Sequence, residues 1–133
     1  MSRGYDKNNT CVYQMLYHLI WIPKRRKKVL VNDIKKRLIT LIKEKLMELD
    51  CSVVQLKVMS DHVHLFFRSN PKLSPNKIVL QLKGYTSYNL RKEFPELKKL
   101  PSLWTNSYFV STAGNVSKFV IQKYIKEQTN EKN

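Results

Sequence analysis

The sequence predicts an α+β fold: a ferredoxin-like, RRM-like β-α-β-β-α-β antiparallel sheet followed by an additional C-terminal helix. Three observations lead there. Runs rich in aromatic and β-branched residues alternate, in that order, with runs whose apolar residues recur at intervals of three and four. Only Ser60 and Asp61 separate two of the strand-like runs, which makes those strands antiparallel neighbours. No repeat, low-complexity tract or linker divides the 133 residues, a length that suits one domain burying roughly two thirds of the surface of its unfolded chain. The chain is therefore read as a single domain over residues 1–133, with 1–10 and 129–133 as flexible ends.

From Cys11 to Pro23, Cys-Val-Tyr-Gln-Met-Leu-Tyr-His-Leu-Ile-Trp-Ile is too aromatic and β-branched for a preferred helix, so it forms the first strand, stopped by Pro23. Lys24-Arg25-Arg26-Lys27-Lys28 follows as an exposed basic segment. Asn32 or Asp33 can cap a helix in which Ile34, Leu38, Leu41, Ile42, Leu46 and Leu49 keep helical spacing, with lysines and Arg37 on the other face. Cys51 to Met59 is the second strand, and the histidine-bearing run that ends before Ser69-Asn70-Pro71 is the third. Ser74 and Pro75 supply a cap and a first-turn proline for a second helix through Ile78, Leu82 and Tyr85 to Phe94. Trp104 to Thr112 reads as the fourth strand, and Ala113-Gly114-Asn115 breaks it before a last helix from about Val116 to Gln128.

Twenty-five lysines and arginines stand against 10 acidic residues, a net charge of +15 that favours a polyanionic partner: nucleic acid first, an anionic membrane surface second. The first residues lack the apolar core of a signal peptide, and no run reaches the roughly 20 apolar residues that span a bilayer, so a soluble, cytoplasmic protein is expected. Cys11 and Cys51 match neither a zinc knuckle nor a disulfide framework and are expected to be reduced, half-buried strand residues.

Chemistry concentrates in Asp61-His62-Val63-His64-Leu65-Phe66-Phe67. Strand alternation sends His62 and His64 to one face and Val63 and Leu65 to the other. Two neutral imidazoles side by side make half of a metal site, and they equally suit packed or hydrogen-bonded sheet residues. In the last helix Tyr124 and Gln128 are four apart and project together, so a phenol and an amide oxygen reach one place. Each alone has an ordinary explanation, Tyr124 on an apolar stripe with Val116 and Val120, Gln128 as a solvated side chain near a helix end. Together they define a candidate site in which His62, His64 and Gln128 hold a metal that polarises a phosphate, and Tyr124 attacks the phosphorus. A phenol of ordinary pKa near 10 needs nearby positive charge to lose its proton at neutral pH.

With these residues in view, the chain resembles the single-tyrosine, His-hydrophobic-His transposases of the IS200-like insertion sequences. The resemblance is carried by Met59-Ser60-Asp61-His62-Val63-His64-Leu65, by the 104–112 strand and by Tyr124-x-x-x-Gln128. Tyr17-His18-Leu19-Ile20-Trp21 before the basic run, and Leu82-Lys83-Gly84-Tyr85-Thr86-Ser87, are also similar. It extends from about Val12 to Gln128, and it departs where the family often has proline and this chain has Ser60. The resemblance implies a small homodimer that cuts and rejoins single-stranded DNA at insertion-sequence ends through a covalent 5′-phosphotyrosine, recognising subterminal hairpins, with Mg²⁺ or Mn²⁺ as metal. It implies composite sites, the histidine pair of one subunit working with the tyrosine helix of the other, and no small-molecule substrate. Carried over residue by residue, His62, His64 and Gln128 bind the metal and Tyr124 is the nucleophile. Gly114 suits a hinge for the tyrosine helix and equally suits a plain turn.

Lys24, Arg25, Arg26, Lys27, Lys28 and Lys83 are candidate DNA phosphate contacts. Trp21, Tyr85, Trp104 and Tyr108 offer stacking surfaces for unpaired bases, although strand aromatics usually face a core. Two other readings use the same fold: a non-catalytic single-strand-binding module, and a non-mobile relative that processes repeated hairpins. The first lacks support in the third strand, which has no Lys/Arg-Gly-Phe-type motif. The second lacks the basic C-terminal extension that some such relatives carry.

Overall fold

The computed structural model describes residues 6–7, 12–13, 15–112 and 123–126. Strands β1 (Asp6–Lys7) and β2 (Val12–Tyr13) pair as a short antiparallel ribbon. The main sheet is built from β3 (Leu16–Trp21), β4 (Ser52–Met59), β5 (His62–Arg68) and β6 (Phe109–Thr112), in the spatial order β4-β5-β3-β6 and antiparallel throughout. Helices α1 (Asn32–Glu48) and α2 (Pro75–Glu93) complete the β-α-β-β-α-β arrangement expected from the sequence. Cys11, Gly114 and most of the expected last helix, including Gln128, lie outside the described residues.

Alternation divides the sheet into two faces. Leu19, Trp21, Val58, Val63, Leu65 and Phe67 point to the side covered by the helices and pack with Leu38, Leu41, Ile42, Leu46, Ile78, Val79, Leu82 and Leu90. Nearly all of these side chains are fully buried, each contributing about 1.5–3 kcal/mol relative to exposure. Trp104 packs edge-on against Trp21, with ring centroids 5.8 Å apart, and its Nε1 donates to Thr86 Oγ1 at 3.0 Å. Both tryptophans are therefore core residues, and Tyr85 and Tyr108 pack half-buried at its margin.

Helix ends follow local chemistry. Ser74 caps α2 by accepting from the Lys77 N–H at 3.2 Å, with Pro75 in the first turn, as expected. The start of α1 differs from expectation: the N-cap is Val31, without a side-chain cap, and Asn32 enters the helix at φ 52°. Asp33 acts only as first-turn negative charge facing the helix dipole. At the other end, Asp50 N–H donates to Met47 O at 3.1 Å and Cys51 N–H to Leu46 O at 2.8 Å, the paired bonds of a Schellman motif. Asp50 takes the left-handed position at φ 62°. Asn70, just past β5, donates to the Leu49 and Asp50 carbonyls at 3.0 and 3.2 Å and ties this helix end to the sheet.

Four further features differ from the sequence expectation. Within the single strand expected over 11–23, Val12–Tyr13 pairs locally with Asp6–Lys7 and Leu16–Trp21 joins the sheet, with Met15 in neither. The expected 104–112 strand is regular only from Phe109, because Trp104 makes a lone bridge to Pro23 and Thr105 N–H donates to Ile22 O at 3.1 Å. The basic segment is only partly exposed: Lys24 is buried and Arg26 is half-buried, while Arg25, Lys27 and Lys28 face outward. Cys51 sits in the α1 end rather than in a strand, as a half-buried thiol pushed up in pKa by burial.

Asp50 holds a left-handed conformation that glycine adopts without a Cβ penalty, and its carboxylate lies at the negative end of α1. Asp50→Gly is expected to raise stability by about 1 kcal/mol in urea unfolding. A loss of stability would show that the Asp50 side chain contributes more than its backbone costs.

Candidate active site

The face of the sheet away from α1 and α2 carries the histidines. The β3–β5 register sets Ile20 opposite His64 and His18 opposite Phe66, and β6 places Phe109 opposite Ile20. His18, His62, His64 and Phe66 thus share one face, each half-buried. The sequence predicted two of these imidazoles; the third, His18, comes from a different strand. Its Nδ1 lies 3.1 Å from His64 Nε2, and its ring stacks on Phe66 with centroids 4.4 Å apart and planes 11° from parallel. Period-two alternation puts His18 on the face of Ile20, but only the strand pairing brings it to His64.

Burial holds both His18 and His64 below the ordinary imidazole pKa. For His64, the neighbouring His18, His62 and Lys57 charges add to the effect of burial. A ring kept neutral retains the lone pair that a metal needs. His62 is oriented differently: its Nδ1 meets Asp61 Oδ1 at 2.9 Å.

The tyrosine helix reaches the same face. Ile125 is buried in a small cluster with Ile20 and Ile22, and Tyr124 and Phe109 pack against it, their rings 5.8 Å apart. Ile20 is the cross-strand partner of His64, so the 123–126 segment lies over the strands that carry the imidazoles of its own chain. Lys123 and Lys126 are exposed, as helical geometry around a buried Ile125 requires.

These donors fit a divalent metal as an incomplete set. Two imidazoles on one sheet face suit such an ion, and the Asp61 contact leaves Nε2 of His62 as its donor. Ligation by His64 Nε2 requires the His18–His64 bond to open. Among the described residues no group of three or more His, Cys, Asp and Glu is arranged to hold a metal. The expected third ligand, Gln128, is an amide outside the described residues.

Lys83, expected to contact phosphate, turns inward instead: its ammonium donates to the main-chain carbonyls of Thr105 and Ser107. It thereby fixes the 105–107 connection ahead of β6. Among the described residues no helix is long and apolar enough to cross a membrane.

Comparison with known proteins agrees with the fold. The family model described as "Transposase IS200 like" matches residues 11–128. The ISDra2 transposase TnpA of Deinococcus radiodurans is 34% identical over 130 residues, covering 96% of this chain and 89% of that protein. The transposase for insertion sequence element IS200 of Salmonella typhimurium is 32% identical over 120 residues, covering 86% and 77% respectively. A 1.90 Å crystal structure of a Deinococcus radiodurans protein assigned as a transposase superposes with a TM-score of 0.87 at 34% identity, covering 92% of this chain and 97% of that one. A REP-associated tyrosine transposase, solved bound to a REP hairpin, shares the fold at a TM-score of 0.54 and 13% identity, over 96% of this chain and 66% of its own. The chain belongs to the IS200-like transposase family.

Removing the Lys83 ammonium takes one donor away from each of two carbonyls, Ser107 O keeping the Thr105 hydroxyl. Lys83→Met is expected to lower stability by about 1–3 kcal/mol in thermal unfolding without DNA. Unchanged stability with weakened DNA binding would instead return Lys83 to the DNA surface.

Proposed function

We propose that this transposase cleaves and rejoins single-stranded DNA at insertion-sequence ends through a 5′-phosphotyrosine on Tyr124, recognising subterminal hairpins. The observation that supports this most directly is the packing of the Tyr124 segment on Ile20 and Phe109, across the sheet face that carries His62 and His64. The structural neighbour bound to a hairpin and the insertion-sequence relatives support the class of substrate.

In this reading Tyr124 Oη attacks the scissile phosphorus, the bond from phosphorus to the 3′ oxygen breaks, and that oxygen leaves as a 3′-hydroxyl after taking a proton. The phenol's own proton goes to solvent or a nearby base. One phosphodiester is exchanged for another, so the energy of the broken bond is kept. Attack by a different 3′-hydroxyl then reverses the step and joins a new strand, with the phenolate departing. His62, His64 and Gln128 would hold Mg²⁺ or Mn²⁺, which when bound supplies a Lewis acid for the phosphate oxygen. His18, stacked on Phe66, bonds His64 Nε2 and gives up that bond when His64 ligates through Nε2. Arg25, Lys27 and Lys28, exposed beside the Ser60–Asp61 turn, make phosphate contacts, and binding should weaken steeply with salt. The protein acts as a homodimer whose sites draw the histidine pair and the tyrosine from different subunits during cleavage, which requires the Tyr124 segment, packed on its own chain's sheet, to be exchanged between subunits.

A labelled single-stranded hairpin oligonucleotide incubated with the protein and Mg²⁺ is expected to give a denaturant-resistant protein–DNA adduct that Tyr124→Phe does not form. An equal adduct from that variant removes Tyr124 from the role, and hairpin binding without any adduct favours a passive binding module. His62→Ala and His64→Ala are each expected to lose cleavage while retaining most hairpin binding.

For the shared site, mixing Tyr124→Phe with His64→Ala should restore part of the cleavage. No restoration after confirmed subunit exchange would place the whole site in one chain.

A further inference from the structure

The sequence gives Asp61 an ordinary duty as one of two turn residues between β4 and β5. The structure adds a second. Its carboxylate faces two partners at once, Oδ1 lying 2.9 Å from His62 Nδ1 and Oδ2 lying 3.1 Å from Arg26 Nε. The Asp61 side chain is only 16% exposed, and those of His62 and Arg26 are 21% and 31% exposed, so the three are partly shielded from water.

Arg26 reaches this position through an unusual backbone. Arg25 and Arg26 both adopt left-handed conformations, with φ of 57° and 49°. Two consecutive non-glycine residues there are costly and persist only where the surroundings hold them. The surroundings do so at several points: Lys24 N–H donates to Leu103 O at 2.8 Å, Arg26 N–H to Pro23 O at 2.8 Å, and Leu30 N–H to Ser60 O at 3.0 Å. The last of these ties the loop to the same turn that carries Asp61.

We infer that Arg26 and Asp61 are a positioning pair for His62, resting on the proposed role of His62 as a metal ligand. An ionised carboxylate only accepts hydrogen bonds, so the proton of a neutral His62 ring must sit on Nδ1. Nε2 then keeps its lone pair as the donor for a metal. Arg26 occupies the second carboxylate oxygen and stops Asp61 from rotating away. The basic segment therefore has two functions: Arg25, Lys27 and Lys28 face outward, while Arg26 sets the orientation of a ring on the sheet. Neither Arg26 nor Asp61 touches the reacting atoms.

The test uses the full-length chain. Nitrogen NMR of the His62 ring in the metal-free protein reads the tautomer, and calorimetric titration with Mn²⁺ reads the affinity. Wild-type His62 is expected to carry its proton on Nδ1. Asp61→Ala should move the ring toward the Nε2–H form and weaken Mn²⁺ binding roughly 10–100-fold, the range for loss of an outer partner of a metal-bound histidine. Arg26→Gln should shift both readouts in the same direction by a smaller amount, and Arg26→Lys should recover part of the loss. A wild-type ring protonated on Nε2 overturns the proposal, as does unchanged Mn²⁺ affinity in both Asp61→Ala and Arg26→Gln. Should Asp61→Ala fail to fold, Arg26→Gln, altered at a more exposed site, decides. His62→Ala separates the two levels: wild-type Mn²⁺ affinity in that variant removes His62 as a ligand, and the ring spectrum alone then rules on the positioning pair.

Discussion

Everything described here depends on the antiparallel pairing of β3 with β5 at the centre of the sheet, in the register that sets Ile20 against His64 and Leu19 against Leu65. That register assigns alternate residues of both strands to opposite faces at once. It drives Leu19, Trp21, Val63, Leu65 and Phe67 under the helices and leaves His18, His62, His64 and Phe66 on the other side. A slip by one residue would reverse both sets, placing imidazoles in the core and large apolar groups where the tyrosine segment packs. Such a slip would cost several buried side chains, so the energy that folds the domain is also what locates the histidines.

The remaining elements brace this pair. β4 extends the sheet through a bulge near Val54, and α1 returns to it by way of the Schellman motif and the Asn70 side chain. Lys83 reaches from α2 to the 105–107 connection, and Trp104 locks against Thr86 and Trp21, so β6 enters beside β3 at a fixed height. Phe109 consequently lies opposite Ile20, where it supports the ring of Tyr124. The position of the tyrosine on the sheet thus traces back through β6 to contacts on the opposite face of the domain.

Most of the fold was legible because it rests on local signals. The apolar spacing of Ile34 to Leu46, the Ser74-Pro75 start of α2 and the two-residue Ser60–Asp61 turn each need only neighbouring residues to act. The alternation of His62 and His64 was legible for the same reason. What escaped depends on distant partners. His18 meets His64 across 46 positions of sequence, Lys83 finds carbonyls 22 and 24 residues away, and Arg26 meets Asp61 through a left-handed backbone that its sequence of basic residues does not announce. A lysine in a cationic protein reads as a surface charge until its burial or its tertiary partner is seen, and Lys24, which is buried, and Lys83, which meets two carbonyls, are two such cases. The overlong first and fourth strands have a related cause, since aromatic and β-branched content marks extended chain without showing which part finds a neighbour.

The two-faced sheet has a consequence for how this protein ages in a genome. The half-buried histidines lie apart from the helix-covered core, so substitutions among them remove little of the apolar packing that holds the domain together. A copy altered on this face can therefore remain folded. Drift on this face would leave a persistent, folded protein rather than one that is cleared by misfolding.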